Sequence, residues 1–273
     1  MRGRQNIDLK QIKINEPIYL NDVEVTAYDA GHILGSVQYK IQTPEMSVLY
    51  TGDINCVDTL TTKAANPVSC DVLILEATYG LPFYVFPERE KTYLEIVNWV
   101  LKQYKKKRLP VFQAYSAGKA QEVVKLLNTF TQIPVVTHPA VSKVNRVYMK
   151  HGVSLDFIDM ASEEGKDLVD KQRCVYILPN SRSTKRTLNK AWAIVTGWAL
   201  KFKKTFNKVD YSFPLSSHAD FIQLKNYVEK VAPKKMYTVH GYKEEFAKYV
   251  QNRLGIRAAP LAPLNQRRLA EYL

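Results

Sequence analysis

Residues 72–75, Val-Leu-Ile-Leu, form a short run without a polar residue, and the run ends directly at Glu76. A continuous apolar run of this length is typical of a strand that is buried on both faces of a sheet. From residue 93 onward, apolar residues recur at helical spacing in segments that alternate with further short apolar runs. This alternation predicts an α/β protein with layered sheets and helices.

The remaining elements follow from the same two periodicities. Segments rich in β-branched and aromatic residues, bounded by turn residues, predict strands at 18–20, 23–28, 37–42, 47–51, 111–115, 133–137, 173–178, 190–196 and 236–240. Helical spacing predicts helices around 93–104, 120–127, 140–150, 221–231 and 246–254. The stretch 81–195 has its own β/α alternation between segments that carry polar motifs, which indicates an inserted unit.

Charge and cysteine usage narrow the class of function. Lys and Arg total 39 and Asp and Glu total 26, so the formal net charge is +13. Such a surface favours polyanions, nucleic acid first, although a Lys-rich thermophilic composition is the alternative explanation. Cys56, Cys70 and Cys174 are few and far apart, which excludes a disulfide scaffold and favours a reducing cytoplasm. No apolar run is long enough to predict a membrane span.

Five polar residues lie where chemistry is usually assembled in α/β proteins. His32, Asp53, Glu76 and His240 stand at the ends of predicted strands next to tight turns, and His218 directly precedes a predicted helix. Imidazole nitrogen and carboxylate oxygen are ligands for zinc, manganese or iron. A single histidine at a strand end is more often a hydrogen-bonded structural residue, so the prediction of a metal site rests on the set.

The segments around these residues resemble an ordered motif series. AYDAGHILGS (27–36), LYTGDIN (49–55), DVLILEATYG (71–80), PLSSHADF (214–221) and TVHGY (238–242) resemble the metallo-β-lactamase-fold nucleases with a β-CASP cap. EATYGLPFYVFP (76–87), AYSAGKAQEVVKLL (114–127) and TGWALKF (196–202) are similar to the short-capped branch, the DNA ligase-associated or RNA-processing (mRNA 3'-end processing factor-like) exonucleases.

The resemblance implies a fold and a division of the chain. The fold is a metallo-β-lactamase αββα sandwich, N-terminally incomplete, with an inserted small α/β β-CASP-like cap. The core then comprises 1–80 and 196–273, and the cap comprises 81–195. The implied activity is that of a metal-dependent phosphodiesterase, exonuclease-type, on DNA or RNA in the cytoplasm. Implied partners are nucleic acid and a DNA ligase or helicase or the RNA-processing machinery. A homodimer is a further expectation, because an incomplete sandwich leaves a sheet edge and apolar surface uncovered.

Site roles are also implied by the resemblance. His32, Asp53 and His240 correspond to ligands of a site for two zinc ions, with manganese as the alternative ion and Asp53 as the bridging carboxylate. Glu76 and His218 correspond to an acid pair in which His218 protonates the leaving oxygen. Two cations close together lower the pKa of a bridging water and stabilise phosphoryl transfer.

One departure from the family pattern affects these expectations. The family motif HxHxDH, which supplies four metal-site residues, does not occur in this sequence, and no HxH is found anywhere in it. Three explanations stand: a misassigned start, a split protein whose partner supplies the motif, or a degenerate member. For the chain as numbered we expect poor metal occupancy and little nuclease activity. The alternative functions are a non-catalytic nucleic-acid-binding or scaffold protein and, less favoured, a small-ester hydrolase.

Basic residues predict where nucleic acid binds. Arg182, Lys185 and Arg186 lie in one cluster, and Lys201, Lys203 and Lys204 alternate with aromatic residues in another. Cations interleaved with aromatic rings suit single-stranded nucleic acid, but a strand with Phe facing the core and Lys facing water explains the pattern equally well. Lys119 stands at a helix start, where it and the free amides could bind a phosphate.

Overall fold

The structure is a computed structural model that describes residues 11–180, 189–200 and 209–262. Its strands are β1 (Pro17–Leu20), β2 (Val23–Asp29), β3 (Val37–Gln42), β4 (Ser47–Tyr50), β5 (Val72–Glu76), β6 (Leu109–Ala114), β7 (Val135–Thr137), β8 (Ile158–Asp159), β9 (Val175–Pro179), β10 (Lys190–Val195), β11 (Tyr211–Phe213), β12 (Lys235–Val239) and β13 (Arg257–Pro260). Its α-helices are α1 (Arg89–Lys105), α2 (Lys119–Phe130), α3 (Pro139–Lys150), α4 (Glu163–Asp170), α5 (Phe221–Val231) and α6 (Lys243–Leu254).

The first sheet is mixed and has seven strands in the order β1-β2-β3-β4-β5-β12-β13. Strands β1 to β4 pair antiparallel, whereas β4, β5, β12 and β13 pair parallel. Because β2 and β4 are both antiparallel to β3, β2 runs in the same direction as β4, β5 and β12. The carboxyl ends of these four strands therefore share one edge of the sheet.

Helices α5 and α6 cover one face of this sheet. Alternate strand residues such as Leu49, Leu73 and Leu75 are completely buried and belong to one apolar cluster with Phe221 of α5 and Phe246 of α6. Burying an aliphatic or aromatic side chain of this size contributes about 1.5–3 kcal/mol. The period of two along the strands therefore fixes which face receives the helices.

The second sheet is parallel and has six strands in the order β11-β10-β6-β9-β7-β8. One face packs on α1, α2 and α3 in the largest apolar cluster, and residues of the other face share a cluster with Val169 of α4. The chain leaves β6 through α2 towards β7, but leaves β10 towards β11 on the opposite side. The carboxyl ends of β6 and β10 therefore flank a crevice of the kind in which α/β sheets bind ligands.

The predicted α/β class is confirmed, and the predicted strands and helices are present with shifts of a few residues at their ends. Unpredicted elements include α4 and the short strands β8, β11 and β13, which offer too few residues for a clear period. Strand β11 pairs with β10 of the second sheet. The division at residues 80 and 195 stays a prediction.

Two of the predicted basic clusters cannot be located. Arg182, Lys185 and Arg186, and also Lys201, Lys203 and Lys204, lie outside the described residues. Among the residues that are described, no helix has the length and apolar character that crossing a membrane requires.

A buried ion pair links α1 and α2, the helices that pack on the second sheet, to the segment 214–220. This segment connects β11 to α5. Arg89, at the start of α1, donates to both carboxylate oxygens of Glu122 on α2, at 2.7 and 2.9 Å, and to the carbonyl of Ser216 at 2.9 Å. The Tyr93 hydroxyl also donates to Glu122. The Arg89 and Glu122 side chains are only 12% and 2% exposed. Each charge therefore depends on the other for the interactions that water would otherwise supply.

This network generates a stability prediction. Arg89→Met leaves the Glu122 carboxylate buried and unpaired, so we expect the free energy of unfolding to fall by about 3–5 kcal/mol. In the double variant Arg89→Met/Glu122→Leu no unpaired charge remains, and the loss should be smaller than in the single variant. Urea denaturation followed by circular dichroism measures both.

The matched control is an exposed ion pair. Lys171 and Asp167 are each more than half exposed, and Lys171→Met should cost less than about 1 kcal/mol. A single variant Arg89→Met as stable as the double variant would contradict the argument.

Candidate functional site

Three of the five predicted site residues lie at the shared edge of the first sheet and close to His218. His32 follows β2, Asp53 follows β4, and Glu76 is the last residue of β5. His218 approaches this edge from the segment 214–220. The strand ends of the first sheet thus bring His32, Asp53 and Glu76 together, and the segment 214–220 adds His218.

His32, Asp53 and His218 form a group that can hold a metal ion. One ligand atom from each lies within 4.8 Å of the others. The Nε2 atom of His32 is 3.9 Å from Oδ2 of Asp53, and the two imidazole rings have their centroids 4.4 Å apart. We refer to these three residues as the triad.

Hydrogen bonds at Nδ1 determine which ring nitrogen of His32 and of His218 is free to bind a metal ion. Nδ1 of His32 lies 2.9 Å from the Ser217 carbonyl oxygen, which can only accept, so this nitrogen carries the proton. Nδ1 of His218 lies 3.0 and 3.1 Å from the two oxygens of Glu76 and donates to them. In the neutral form of each ring, Nε2 is then left with its lone pair, as metal coordination requires.

Glu76 is completely buried at this edge, yet its carboxylate has several donors. Burial alone would raise its pKa, but the hydrogen bond and charge of His218, with the amides of Thr78 and Ile54, lower the pKa overall. The pKa of His32 is lowered, first by burial and then by the nearby His218. Glu76 therefore stays ionised and holds His218, while His32 is favoured in its neutral, ligating form.

His240 is not part of the triad. It follows β12, which lies two strands from β4, a separation of about 10 Å. The side chain is exposed, and the backbone turns through positive φ at His240 and again at Gly241. Among the described residues His218 stands with His32 and Asp53, where the resemblance implied His240. The predicted role of His240 stays a prediction.

The triad opens into a cavity of about 380 Å³ between the two sheets. One further wall comes from the residues that follow β5 of the first sheet. The others come from the residues that follow β6 and β10, at the crevice of the second sheet. Residues that line these walls include Tyr79, Tyr115, Ser116, Ala117, Lys119 and Trp198. Lys119, predicted to bind nucleic acid, is thus at the site, and it is only 5% exposed.

Sequence patterns did not single out Tyr115, Trp198 or Arg89. Tyr115 ends a predicted strand and lies in a motif that carries the resemblance, and Trp198 lies in another such motif, but neither pattern assigns these residues a role. The pairing of Arg89 with Glu122 joins residues 33 positions apart on different helices, and helical periodicity within one segment carries no such information.

Gly31 sets the position of His32. Its φ is +71°, and a Cβ there would lie 2.5 Å from the Asn55 carbonyl oxygen and 2.8 Å from that of Lys63. Both are backbone atoms, so no side-chain rotation can relieve the contact. The close approach lets the loop carrying His32 lie against the loop that follows Asp53.

We therefore expect Gly31→Ala to destabilise the protein and displace His32. Gly35 provides the control, since its φ is +81° but nothing lies within 4 Å of its Cβ position. Gly35→Ala should cost about 1–2 kcal/mol because its backbone is in the left-handed region, and Gly31→Ala about 1–3 kcal/mol more because of overpacking. Thermal unfolding of both variants measures the difference, and equal losses would contradict it.

The triad fits one metal ion. Two imidazole nitrogens and one carboxylate oxygen are a ligand set typical of catalytic zinc, which keeps a further position open for water or substrate. Among the residues of 11–180, 189–200 and 209–262, no second group of three such side chains comes together. The described residues therefore fit one ion rather than two.

Comparisons with known proteins give one matching family model and several similar proteins. Residues 211–259, which carry His218 and His240, match the family model RMMBL, the Zn-dependent metallo-hydrolase RNA specificity domain. The chain is 33% identical to a probable DNA ligase of Opitutus terrae, over 90% of this chain and 24% of that protein. It is 24% identical to cleavage and polyadenylation specificity factor subunit 3 of Dictyostelium discoideum, over 89% of this chain and 38% of that protein.

Two further matches cover different shares of the chain. An RNase J-like protein of Methanocaldococcus jannaschii is 31% identical over 48% of this chain and 33% of that protein. A crystal structure of a protein of unknown function from Enterococcus faecalis superposes with a TM-score of 0.61, at 15% identity, over 93% of this chain and 66% of that one. This last likeness concerns the fold alone.

The chain spans between about a quarter and two fifths of the length of these curated relatives. The match nevertheless extends along nine tenths of its own length in two of them. The resemblance predicted from the motif series is confirmed: residues 211–259 match the RMMBL model, and the chain is similar to relatives that include a cleavage and polyadenylation specificity factor subunit and a probable DNA ligase.

Proposed function

We propose that this protein is a metal-dependent phosphodiesterase that cleaves DNA or RNA in the cavity beside the triad. The observation that carries the proposal is the convergence of His32, Asp53 and His218 within 4.8 Å, next to the buried Lys119. The net charge of +13 favours a polyanionic substrate. Relatives that include an RNase J-like protein and a probable DNA ligase support a nucleic acid as that substrate.

The triad would hold zinc, with manganese as the alternative ion. Bound there, the cation supplies polarisation of a phosphoryl oxygen and a lowered pKa of a bound water. His32 and His218 offer their Nε2 atoms and Asp53 its carboxylate. Ser217 and Glu76 keep both rings in the tautomer that leaves Nε2 free. Carboxylates that orient a ligating histidine raise metal affinity by about 10–100-fold, which is the contribution we assign to Glu76.

His218 has two candidate roles at the same atom. Held by Glu76 through Nδ1, its Nε2 either binds the ion or donates a proton to the leaving oxygen, as the resemblance implies. A proton donor typically contributes about 10²–10⁴-fold to the rate. A protein that has lost only the donor retains its metal, so the two roles differ in metal content.

The first test measures metal binding and cleavage together. Calorimetric titration of the metal-free chain with zinc should give one ion per chain, bound weakly because the motif HxHxDH does not occur in this sequence. End-labelled DNA or RNA strands should be shortened slowly, and only when the ion is present. Asp53→Asn and His32→Ala should abolish both. His151→Ala serves as the control, because His151 is exposed at the end of α3. Cleavage by Asp53→Asn equal to that of wild type would reject the proposal.

The variants Glu76→Gln and His218→Ala refine the assignment. Glu76→Gln should bind zinc about 10–100-fold more weakly. Loss of the ion in His218→Ala assigns His218 as a ligand, whereas full occupancy with slow cleavage assigns it as the proton donor. Binding of nucleic acid with no turnover by the metal-loaded wild type would favour a non-catalytic binding protein instead.

We also infer that the protein is cytoplasmic and that it acts together with a DNA ligase or with the RNA-processing machinery. Cys56, Cys70 and Cys174 are free thiols in the structure, as a reducing compartment allows. A ligase and a cleavage factor subunit among the relatives support the setting.

A further inference from the structure

The wall of the cavity opposite the triad combines a buried cation with aromatic rings. Lys119 begins α2, and Ser116, Ala117 and Lys119 all line the cavity, so the N-terminus of this 12-residue helix opens into it. Such a terminus carries partial positive charge. The amides of Gly118, Lys119 and Ala120 already donate to Gln121, Ala117 and Tyr115, so they are not free to bind a ligand. A helix terminus is common in proteins, so the argument depends on what Lys119 itself does there.

Lys119 is a buried amine with no hydrogen-bonded or ion-paired carboxylate among the described residues; Glu122 and Glu76 act on it only through their charge. Its residue is 5% exposed, and the described chain offers its Nζ neither a hydrogen bond nor a salt bridge. The nearest carboxylate on its own helix, Glu122, is already engaged by Arg89 through both oxygens. Burial lowers the pKa of Lys119 to about 8. An ammonium held in this way is costly to the free protein, and an anion in the cavity would offset the cost.

Tyr115 stands next to this amine at the mouth of the cavity. Tyr115 is 51% exposed, and the centroid of its ring is 4.8 Å from Nζ of Lys119. Trp198, on another wall, is fixed by ring contacts with Tyr79 at 4.9 Å and Tyr84 at 5.6 Å. An exposed ring beside a cation is the arrangement that stacks a base while the cation contacts a phosphate.

We propose that Lys119 and Tyr115 form a nucleotide subsite next to the triad, in which Lys119, at the positive end of α2, contacts a phosphate and Tyr115 stacks on the adjoining base. The cavity volume of about 380 Å³ is near the lower end of the roughly 300–1,000 Å³ typical of small-ligand sites. A space of this size accommodates one nucleotide. The inference rests on the proposed function for the nature of the anion, but its test requires no cleavage.

The experiment measures binding of adenosine monophosphate and of inorganic phosphate to the full chain in the presence of a chelator, by calorimetry. Lys119→Met should weaken both ligands at least tenfold. It should also raise the melting temperature of the free protein, because a buried charge without an ion-paired carboxylate is removed. Lys143→Met is the control, since Lys143 is exposed on α3, and it should change neither quantity.

Tyr115→Leu should separate the base from the phosphate. We expect adenosine monophosphate to bind roughly 5- to 150-fold more weakly, the range for loss of one stacked base, with no change in the affinity for inorganic phosphate. Tyr19→Leu, at an exposed tyrosine of β1, is the matched control and should leave both affinities unchanged.

Asp53→Asn distinguishes this proposal from the proposed function. It disables the triad and removes a carboxylate that faces the cavity, so cleavage is lost while adenosine monophosphate binds as well as before or more tightly. Unchanged affinities in Lys119→Met would overturn the subsite. So would an equal loss of both ligands in Tyr115→Leu. If Lys119→Met does not fold, Lys119→Gln keeps a polar side chain of similar length and is measured in the same way.

Discussion

Two hydrogen bonds at Nδ1 determine what this site can do. The Ser217 carbonyl holds His32, and the Glu76 carboxylate holds His218. Since Nδ1 of each ring keeps its proton and donates it in a hydrogen bond to the acceptor, both rings present Nε2 to the same point, next to Asp53. Without these bonds the rings could rotate or exchange tautomers, and a set of histidines at strand ends would have no common focus. The chemistry thus rests on backbone geometry and on one buried carboxylate as much as on the ligands.

The sequence allowed much of this site to be predicted. His32, Asp53 and Glu76 could be placed together because residues after parallel strands meet at one sheet edge, and the strands were evident from their apolar runs. The grouping of His218 with His32 and Asp53 could not be predicted from pattern. It depends on the path of the segment 214–220, which leaves the second sheet at β11 and enters α5 beside the first sheet.

Other features escaped sequence reasoning for related physical reasons. His240 occupies the predicted strand end, but strand order adds a second spacing between it and Asp53, and the turn with positive φ leaves its side chain exposed. Lys119 was predicted as a basic residue at a helix start. Its burial follows from packing between layers, and its lack of an ion-paired carboxylate follows from Arg89, which already holds the nearby Glu122. Periodicity reports which face of an element is apolar, whereas these properties arise from pairs of elements.

The contact between Gly118 and Ile33 couples the helix layer on the second sheet to the edge of the first sheet. Gly118 precedes α2, and a Cβ on it would lie 2.5 Å from Cγ2 of Ile33, the neighbour of His32. The start of the helix that carries the cavity's lysine therefore rests on the loop that carries a triad histidine, and the carbonyl holding that histidine belongs to the segment anchored by Arg89. A shift of the second sheet and its helices relative to the first sheet would therefore move both the triad and the wall that carries Lys119. The affinity of the triad for a metal ion would then depend on how the two sheets pack together.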